Sequence, residues 1–350
     1  MTCFFPRVRA VVIASVAGTA MSCAVLATGL AAQDFYQGKT INVIVGNVAS
    51  SGYDPYGRVL ARHMAKYIPG KPTVIVQNMP GAGSIKATDY TYNIAPKDGT
   101  AITLVMPGAF MEPLTGDPAK FRYDATKFEF LGTADSGTRL CFTRASSPVK
   151  TFEDAKKTKS IMAATAAGSS LWDYAQFLRS LAGAQFTVVS GYPGPADAIL
   201  AVERGEADGI CGLEYSTMRT LRPQWFEPGQ TLANFLMQTA MEPHPDLVRL
   251  GVPEMWPMIP AENRAVVDLI VAQQAFQRPF IAPPGTAPAQ LKVLREAFMA
   301  TWKDPEALEE AGRMKIDVNP KSGEEVAALV TSIYGAPKDL IERMSKAIRP

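Results

Sequence analysis

Residues 40–45 read Thr-Ile-Asn-Val-Ile-Val and begin a pattern of strand, glycine-bearing loop and helix that occurs twice before residue 106. This β-branched run predicts a strand that ends at Gly46, and the loop 47–53 follows it. Asp54 is predicted to be the N-cap of a helix, with Pro55 at the first helical position, where a missing N–H costs nothing.

The helix after Pro55 and the second unit follow directly. Pro69-Gly70 ends the helix, and its apolar face is carried by Tyr56, Val59, Leu60, His63, Met64 and Tyr67. The second unit consists of a predicted strand at 73–76, a loop at 78–84 and a helix at 84–95, before a third strand at 101–105.

Loops that follow neighbouring parallel strands open at the same edge of a sheet. Their free N–H groups and the two helix N-termini can then converge on one anion, since the first N–H groups of a helix have no partner within it. The pattern therefore predicts a place where a carboxylate is held.

The second loop and the segments after it resemble a known family. Asn78-x-Pro-Gly-Ala-Gly83, followed by Ala95-Pro-Lys-Asp-Gly99, is similar to the extracytoplasmic solute receptors of tripartite tricarboxylate transporters, also called Bug-type receptors. The similarity continues through Arg204-Gly-Glu-Ala-Asp-Gly209 and Ala282-Pro-Pro-Gly-Thr-Ala-Pro288, so it covers nearly all of the chain after residue 32.

The resemblance implies an α/β fold with two lobes, periplasmic binding protein-like and of type II, with a ligand cleft between the lobes. Lobe 1 is expected at residues 33–134, completed by residues 276–350, and lobe 2 at residues 135–275. Each lobe has its own strand-to-helix loops, so both lobes offer amide groups to the cleft.

The resemblance also implies the residues that hold a ligand carboxylate. A first jaw is expected from the loop before the first helix, and a second jaw from the Pro-Gly-Ala-Gly loop. The jaws and the far side of the cleft would comprise Ser50, Ser51, Gly52, Tyr53, Gly81, Ala82, Gly83, Ser84, Gly168, Ser169, Ser170 and Tyr192. For Ser169, Ser170 and Tyr192 the alternative is that they are helix caps and turn residues.

Several positions depart from the pattern of the family. Met79 stands where arginine is common, and Ser84 stands where a further glycine is common. Glu214 is the most informative departure, because a glutamate that faces the cleft would suit a ligand with an amine or several hydroxyl groups. The alternative is a solvated residue that starts a helix.

The N-terminus has the pattern of a secretory signal. Arg7 and Arg9 precede an uncharged apolar run at 10–30, and Ala31-Ala32 follow it, so residues 1–32 are predicted to be a cleaved signal peptide and the periplasm is the expected location. An uncleaved membrane anchor is the alternative, because the run is long enough to span a bilayer. Cys23 suggests a lipid anchor, but the residues before it lack the usual leucine.

The net charge and the length of the chain limit the functions that are expected of it. Removal of Arg7 and Arg9 takes the 35 Lys and Arg residues to 33, which equals the 33 Asp and Glu residues. A neutral mature chain has no basic field for nucleic acid or an anionic membrane. Roughly 320 mature residues exceed the size that one core usually serves, so two domains are expected.

Two cysteines, Cys141 and Cys211, remain after the signal. Both lie in short strand-like runs, and in an oxidising compartment such a pair can form a disulfide. Two buried free thiols are the alternative, since the sequence does not tell whether the two Cα atoms come within reach.

The rest of the chain has weaker signals for secondary structure. Loops are predicted at 106–110 and 165–170, a turn at 191–194 and an irregular proline-rich connection at 242–260. Strands are predicted at 128–131, 161–164, 186–189, 210–211, 232–237 and 280–282, and helices near 151–154, 171–181, 196–204, 261–274 and from 289 to 348.

An enzyme is not expected. The chain has two histidines, of which His63 lies in an apolar helical face and His244 in a proline-rich loop. No set of His, Cys and carboxylate residues has metal-ligand spacing, and no Gly-x-Ser-x-Gly motif is present. Gly81 and Gly83 begin a dinucleotide fingerprint, but Lys86 occupies its third glycine position. We therefore expect no cofactor and no metal.

The sequence thus predicts a periplasmic solute-binding receptor that captures a small organic carboxylate by closure of its lobes, as a Venus flytrap does. The resemblance implies that it acts as a monomer and delivers its ligand to the membrane subunits of a tripartite tricarboxylate-type transporter. The alternatives are a Rossmann-type dinucleotide-dependent enzyme and a receptor that signals to a membrane sensor kinase.

Overall fold

The computed structural model describes residues 35–49 and 51–349, and its strands form two separate sheets. The predicted signal peptide, residues 1–32, and Ser50 lie outside the described residues. The strands are β1 (Thr40–Val45), β2 (Thr73–Asn78), β3 (Ala101–Leu104), β4 (Glu129–Thr133), β5 (Arg139–Arg144), β6 (Ser160–Ala163), β7 (Phe186–Val189), β8 (Gly209–Glu214), β9 (Ala233–Thr239), β10 (Pro279–Ala282) and β11 (Lys321–Ser322).

Helices cover the sheets and connect most of the strands. They are α1 (Asp54–His63), α2 (Ile85–Asn93), α3 (Gly108–Thr115), α4 (Phe152–Ala155), α5 (Ser170–Ala182), α6 (Pro195–Arg204), α7 (Tyr215–Leu221), α8 (Pro245–Arg249), α9 (Arg264–Val271), α10 (Pro288–Thr301), α11 (Pro305–Arg313), α12 (Gly323–Tyr334) and α13 (Lys338–Ile348). Short 3₁₀ turns lie at Met64–Tyr67, Ala82–Ser84, Pro118–Lys120, Ala125–Lys127, Pro223–Phe226, Trp256–Met258, Ala261–Asn263 and Ala272–Phe276. Within the described ranges, no helix has both the length and the apolar character that a bilayer crossing requires.

The first sheet has the strand order β11-β4-β10-β3-β1-β2 and defines lobe 1. Strand β1 pairs in parallel with β2 on one side and with β3 on the other, whereas β10 pairs antiparallel with β3 and β4. The core strands are apolar because helices cover both faces of a parallel sheet. Ile41, Val43 and Leu104 are fully buried accordingly.

The second sheet has the strand order β7-β6-β8-β5-β9 and defines lobe 2. Strand β6 is parallel to β7 and β8, and β5 is antiparallel to β8 and β9. The chain passes from the first sheet to the second after β4 and returns at β10. The two crossings, 134–138 and 277–278, therefore lie side by side, and the Gln277 N–H donates to the Asp135 carbonyl at 3.0 Å.

The C-terminal helix differs from the expectation that residues 276–350 complete lobe 1. Helices α10, α11 and α12 pack in lobe 1, but α13 packs against α5 and α9 of lobe 2 as well as against α3. Hydrogen bonds fix this position, since Trp172 Nε1 donates to the Ile348 carbonyl at 3.0 Å and Ser345 Oγ donates to the Thr115 carbonyl at 2.9 Å. The last helix therefore connects the two lobes.

Local predictions from the sequence succeeded mainly where side-chain periodicity is strong. The structure places β1 at the predicted residues, and Thr151 and Asp154 form a capping box at α4. The predicted loop at 106–110 is largely wrong, because α3 begins at Gly108, and the region 242–260 contains α8 besides irregular chain. Helix 261–274 consists of α9 flanked by two 3₁₀ turns.

Candidate functional site

The loops after β1, β2 and β3 leave lobe 1 at one rim of the sheet. In the ladder Val45 is level with Asn78 of β2 and with Leu104 of β3, so all three strands end together. The Met79 N–H donates to the Val45 carbonyl at 2.8 Å, and Asn78 Nδ2 donates to the Asn47 carbonyl at 2.9 Å. The two jaws expected from the sequence thus lie beside each other.

Ser84 ties these three loops together. Its hydroxyl donates to the Gly46 carbonyl at 3.1 Å and accepts from the Met106 N–H at 3.1 Å, and the residue is fully buried. Gly46 allows this approach, because a Cβ there would lie 2.8 Å from the Ser84 Cβ. The Ser84 side chain therefore connects the loops and is not presented to the cleft.

The second jaw has an unusual backbone. Ala82, Gly83 and Ser84 have φ values of 45°, 60° and 74°, so three successive residues are left-handed, and Gly81 precedes them at 151°. Left-handed non-glycine residues cost roughly 1 kcal/mol or more each, and such strain is concentrated at ligand-binding segments. The exposed backbone of 81–83 lies directly before α2, where N–H groups are available to an anion.

The first jaw differs in detail from the prediction. Helix α1 begins at Asp54 with Tyr53 at the N-cap position, so the prediction that Asp54 is the N-cap is wrong. The Asp54 carboxylate is occupied, since it accepts from Asn78 Nδ2 at 2.8 Å and pairs with Arg58 at 2.5 Å. Ser51 Oγ is buried and has no hydrogen-bond partner among the described residues.

Arg278, a residue that the sequence did not single out, lies against the first jaw. Its guanidinium carbon is 4.2 Å from the centre of the Tyr53 ring and 5.2 Å from that of Tyr56, within the range of cation–π attraction. The residue is only 1% exposed, and its Nη2 lies 3.9 Å from where a Cβ of Gly52 would be. The missed signal is a charged residue at a crossing between the two lobes, directly before β10.

Glu214 lies between Arg278 and a second buried arginine, Arg139. Its Oε1 is 3.7 Å from Arg278 Nη1 and 3.8 Å from Arg139 Nη2, and its Oε2 accepts from Thr217 Oγ1 at 3.0 Å. Burial raises the pKa of Glu214, but Arg278 and then Arg139 outweigh that effect and hold the pKa below its usual value. Glu214 is thus ionised and already paired, which argues against the hypothesis that it receives a ligand amine.

The alternative prediction for Glu214 was a solvated residue that starts a helix; the position at the helix start is confirmed, but the solvation is not. Glu214 occupies the N-cap position of α7, but its side chain is 17% exposed and pairs with arginines instead of water. A second carboxyl group, Asp135, is buried nearby on the other crossing, and burial raises its pKa to about 7 despite the opposing effect of Arg278. The charged groups at the inner end of the cleft are therefore two arginines, the ionised Glu214, and Asp135, which is partly protonated near pH 7.

Two of the residues expected to line the cleft from lobe 2, Ser169 and Ser170, lie at the start of α5. Ser169 is the N-cap of α5, where its Oγ donates to the Ala166 carbonyl at 2.6 Å and accepts from the Trp172 N–H at 3.4 Å, so its hydroxyl has the capping role. Ser170 is the first residue of α5, and its carbonyl packs against Gly212, where a Cβ would lie 2.2 Å away.

Gly168 and Tyr192 lie on two adjacent loops of lobe 2. The Tyr192 N–H donates to the Ala164 carbonyl at 3.4 Å, and its ring is half-buried against the lobe 2 core. Gly168 is left-handed at φ 80°, and a Cβ there would lie 2.5 Å from Oε1 of Glu112 in α3. The Gly168 loop therefore reaches lobe 1.

The structure joins Cys141 and Cys211 in a disulfide. The two residues are opposite each other on β5 and β8, both are fully buried, and their Cα atoms are 3.9 Å apart. The sequence left a bridge and two free thiols open, and this register favours the bridge.

Both histidines have structural partners. His63 Nε2 lies 2.7 Å from Glu310 at the end of α1 remote from the jaws, so its ring has a hydrogen-bond partner. His244 caps α8, and its Nδ1 accepts from the Asp246 N–H at 3.1 Å. His63 also lies near Asp304 and Glu306, but Asp304 pairs with Lys66 at 2.5 Å and accepts from two N–H groups of α11.

Comparisons with known proteins bear on the fold. No protein-family model matches the chain. A curated relative, the UPF0065 protein in the gbd 5′ region of Cupriavidus necator, is 22% identical over 353 residues, which covers 95% of this chain and 97% of the relative.

Solved structures share the fold over almost their whole length. The TctC solute binding protein from Polaromonas has a TM-score of 0.66 at 19% identity, covering 88% of this chain and 99% of its own. The periplasmic binding protein BugD has a TM-score of 0.64 at 21% identity, covering 89% and 98%. MatC from Rhodopseudomonas palustris, solved with bound malate, has a TM-score of 0.63 at 18% identity, covering 87% and 99%.

These likenesses define the class of fold. The chain has the α/β, two-lobed fold of periplasmic binding proteins, as predicted from the sequence. The resemblance to the TctC and Bug solute-binding proteins is confirmed at the level of the fold.

Proposed function

We propose that this protein is a periplasmic receptor that binds a small organic carboxylate between its lobes and delivers it to a tripartite tricarboxylate-type membrane transporter. The observation that carries the proposal is the pair of strand-to-helix loops at one rim of lobe 1, next to a buried arginine. Free backbone N–H groups at a helix N-terminus and a guanidinium are both well suited to a carboxylate.

The contacts between the lobes support capture by closure. Gly52 of the first jaw lies close to Thr217 of lobe 2, with 3.9 Å between an ideal Cβ of the former and Oγ1 of the latter. Arg219 of α7 pairs with Asp317 of lobe 1, and Thr220 Oγ1 donates to the Lys315 carbonyl at 3.2 Å. A ligand that contacts both lobes binds the closed form better than the open form, and it shifts the equilibrium between them accordingly.

The comparisons support the ligand class and the location. A malate-bound structure is among the neighbours with the same fold, and malate is a small organic carboxylate. The neighbours are periplasmic binding proteins, which agrees with the secretory pattern of residues 1–32. We infer from both that the mature chain works in the periplasm as a binding protein and not as an enzyme.

The site assignment is part of the proposal. The ligand is held by the first jaw with Ser50, Ser51, Gly52 and Tyr53, and by the second jaw with the backbone of residues 81–84. Gly168, Ser169, Ser170 and Tyr192 close the cleft from lobe 2. Since the side chains of Ser84 and Ser169 are occupied by other bonds, their contribution is through backbone groups.

A thermal-shift screen of the purified mature protein tests the proposal. The panel contains malate, adipate, benzoate and NAD, each at millimolar concentration. A carboxylate present at one hundred times its dissociation constant is expected to stabilise the protein by about 2.7 kcal/mol. If no carboxylate shifts the melting temperature, or if NAD alone does so, the receptor proposal is wrong.

A matched pair of variants locates the site. Gly83→Asp has room for its side chain, because nothing lies within 4 Å of a Cβ there, and it adds a negative charge to the second jaw. The positive φ makes an aspartate strained by roughly 1 kcal/mol or more, a cost that the control variant shares. Gly83→Asp is expected to remove the ligand-induced shift without unfolding the protein. Gly229→Asp is the control, since it has φ 77°, the same open surroundings and an exposed position in lobe 2. Equal ligand binding by both variants would mean that the site lies elsewhere.

A further inference from the structure

We propose that Arg278 contacts the anionic group of the ligand beside the first jaw and makes the site selective for acids over their amino analogues. This inference rests on the proposed function and adds a residue and a ligand class to it. Arg278 lies where the first jaw, the crossing into β10 and the start of α7 meet.

Arg278 is built into the inner end of the cleft. Its backbone N–H donates to Thr133 Oγ1 at 3.0 Å, and Nη1 donates to the Gln277 carbonyl at 3.2 Å. Tyr53 and Tyr56 pack against the guanidinium and restrict its orientation. These contacts fix the side chain before a ligand arrives, which reduces the entropy lost on binding.

The guanidinium still has hydrogen-bonding capacity to offer. Arg278 is only 1% exposed, and its Nε is buried without a hydrogen-bond partner among the described residues. A buried charge is costly unless it is paired and hydrogen-bonded. The distance of 3.7 Å between Arg278 Nη1 and Glu214 Oε1 is too long for a hydrogen bond. Nη2 lies next to Gly52, so a carboxylate on the first jaw would be adjacent to it.

The charge balance favours anions. Arg139, also only 3% exposed, shares the same Glu214 oxygen with Arg278, and its own Nε is buried without a partner among the described residues. The two arginines thus exceed the charge of Glu214, and they still do so when the partly protonated Asp135 is counted. Both Glu214 oxygens are occupied, one by the arginines and the other by Thr217. An ammonium group beside the first jaw would therefore meet Arg278, and the carboxylate nearest to it, Glu214, is already paired with two arginines.

Two matched pairs of ligands test the selectivity on the unaltered protein. Calorimetry compares malate with aspartate, in which an ammonium group replaces the hydroxyl group, and adipate with 2-aminoadipate, in which it replaces a hydrogen. The acid of a bound pair is expected to bind at least tenfold more tightly than its amino analogue. Equal or tighter binding of the amino analogue would overturn the inference, whereas binding of neither pair nor of any other carboxylate would overturn the proposed function as well.

Variants test the residue itself. Arg278→Gln is expected to weaken binding of the preferred acid at least tenfold and to reduce its preference over the amino analogue. Arg222→Gln is the matched control, because Arg222 pairs with Glu203 at 2.5 Å in lobe 2, away from the jaws. This variant is expected to bind the preferred acid as tightly as the wild type does.

Folding of the variants is checked separately. Near- and far-UV circular dichroism shows whether Arg278→Gln retains native packing, and the double variant Arg278→Gln with Glu214→Gln removes one charge of each sign from the same place. Acid binding within twofold of wild type in either folded variant would overturn the inference while leaving the receptor proposal intact. Should neither variant fold, the ligand pairs on the unaltered protein decide.

Discussion

Ser84→Ala offers a direct measure of how the jaws are held together. The substitution removes one hydroxyl that donates to the Gly46 carbonyl and accepts from the Met106 N–H, both at 3.1 Å. The residue is fully buried, so water cannot readily replace these bonds.

The expected loss follows from the groups that are left without a partner. A buried donor or acceptor without a partner costs about 1–3 kcal/mol, and partial relaxation of the two loops reduces the total, so we expect a loss of about 2 kcal/mol. Ser84 also has a φ of 74°, a conformation that glycine adopts without strain. Ser84→Gly loses the same bonds but relieves roughly 1 kcal/mol of strain, and it is expected to lie between the wild type and Ser84→Ala.

Urea unfolding followed by circular dichroism measures these differences, with calorimetry of the preferred acid alongside. Ser146→Ala is the control, because Ser146 is exposed and, within the part of the chain that the structure describes, its hydroxyl bonds only to Arg144. The stability of this variant should stay within about 0.5 kcal/mol of wild type. Ligand affinity should fall with stability in the Ser84 variants, since their jaws lose a common anchor. A Ser84→Ala protein as stable as the control would refute the role given to this hydroxyl.

Three further predictions concern the whole molecule. Alkylation and mass spectrometry should find no free thiol on Cys141 or Cys211, and two alkylated thiols would contradict the disulfide. Replacing both cysteines by serine should lower the free energy of unfolding by about 4 kcal/mol, according to the loop-closure model for a separation of 70 residues. Burial raises the pKa of Asp173 to about 7, so its contribution to stability falls as the pH rises from about 4 to 7. The Asp173→Asn variant should therefore become more stable relative to the wild type as the pH rises over that range. Parallel profiles of the free energy of unfolding against pH would refute this prediction. Small-angle scattering should detect compaction when the preferred acid saturates the wild type but not Gly83→Asp, and an unchanged wild-type profile would argue against closure.

The sequence by itself determined most of lobe 1 at the level of elements. The run at 40–45 became β1 without adjustment, and the loops before α1 and α2 lie at one rim because parallel strands carried in register must end together. Gly81 and Gly83 both have positive φ, a conformation that glycine adopts readily. These features depend on neighbours in the chain, so the order of residues was enough to predict them.

The tertiary structure decided which side chains meet at the cleft and how they pair. The sequence marked Glu214 as a possible partner for a ligand amine, but folding brings Arg139 and Arg278 beside it, from positions 75 and 64 residues away. Likewise the hydroxyl of Ser84 bonds to Gly46 and Met106, and α13 reaches back to lobe 2. Such pairings arise where two crossings of the chain meet between lobes, and no local periodicity reports which charges will be buried there together.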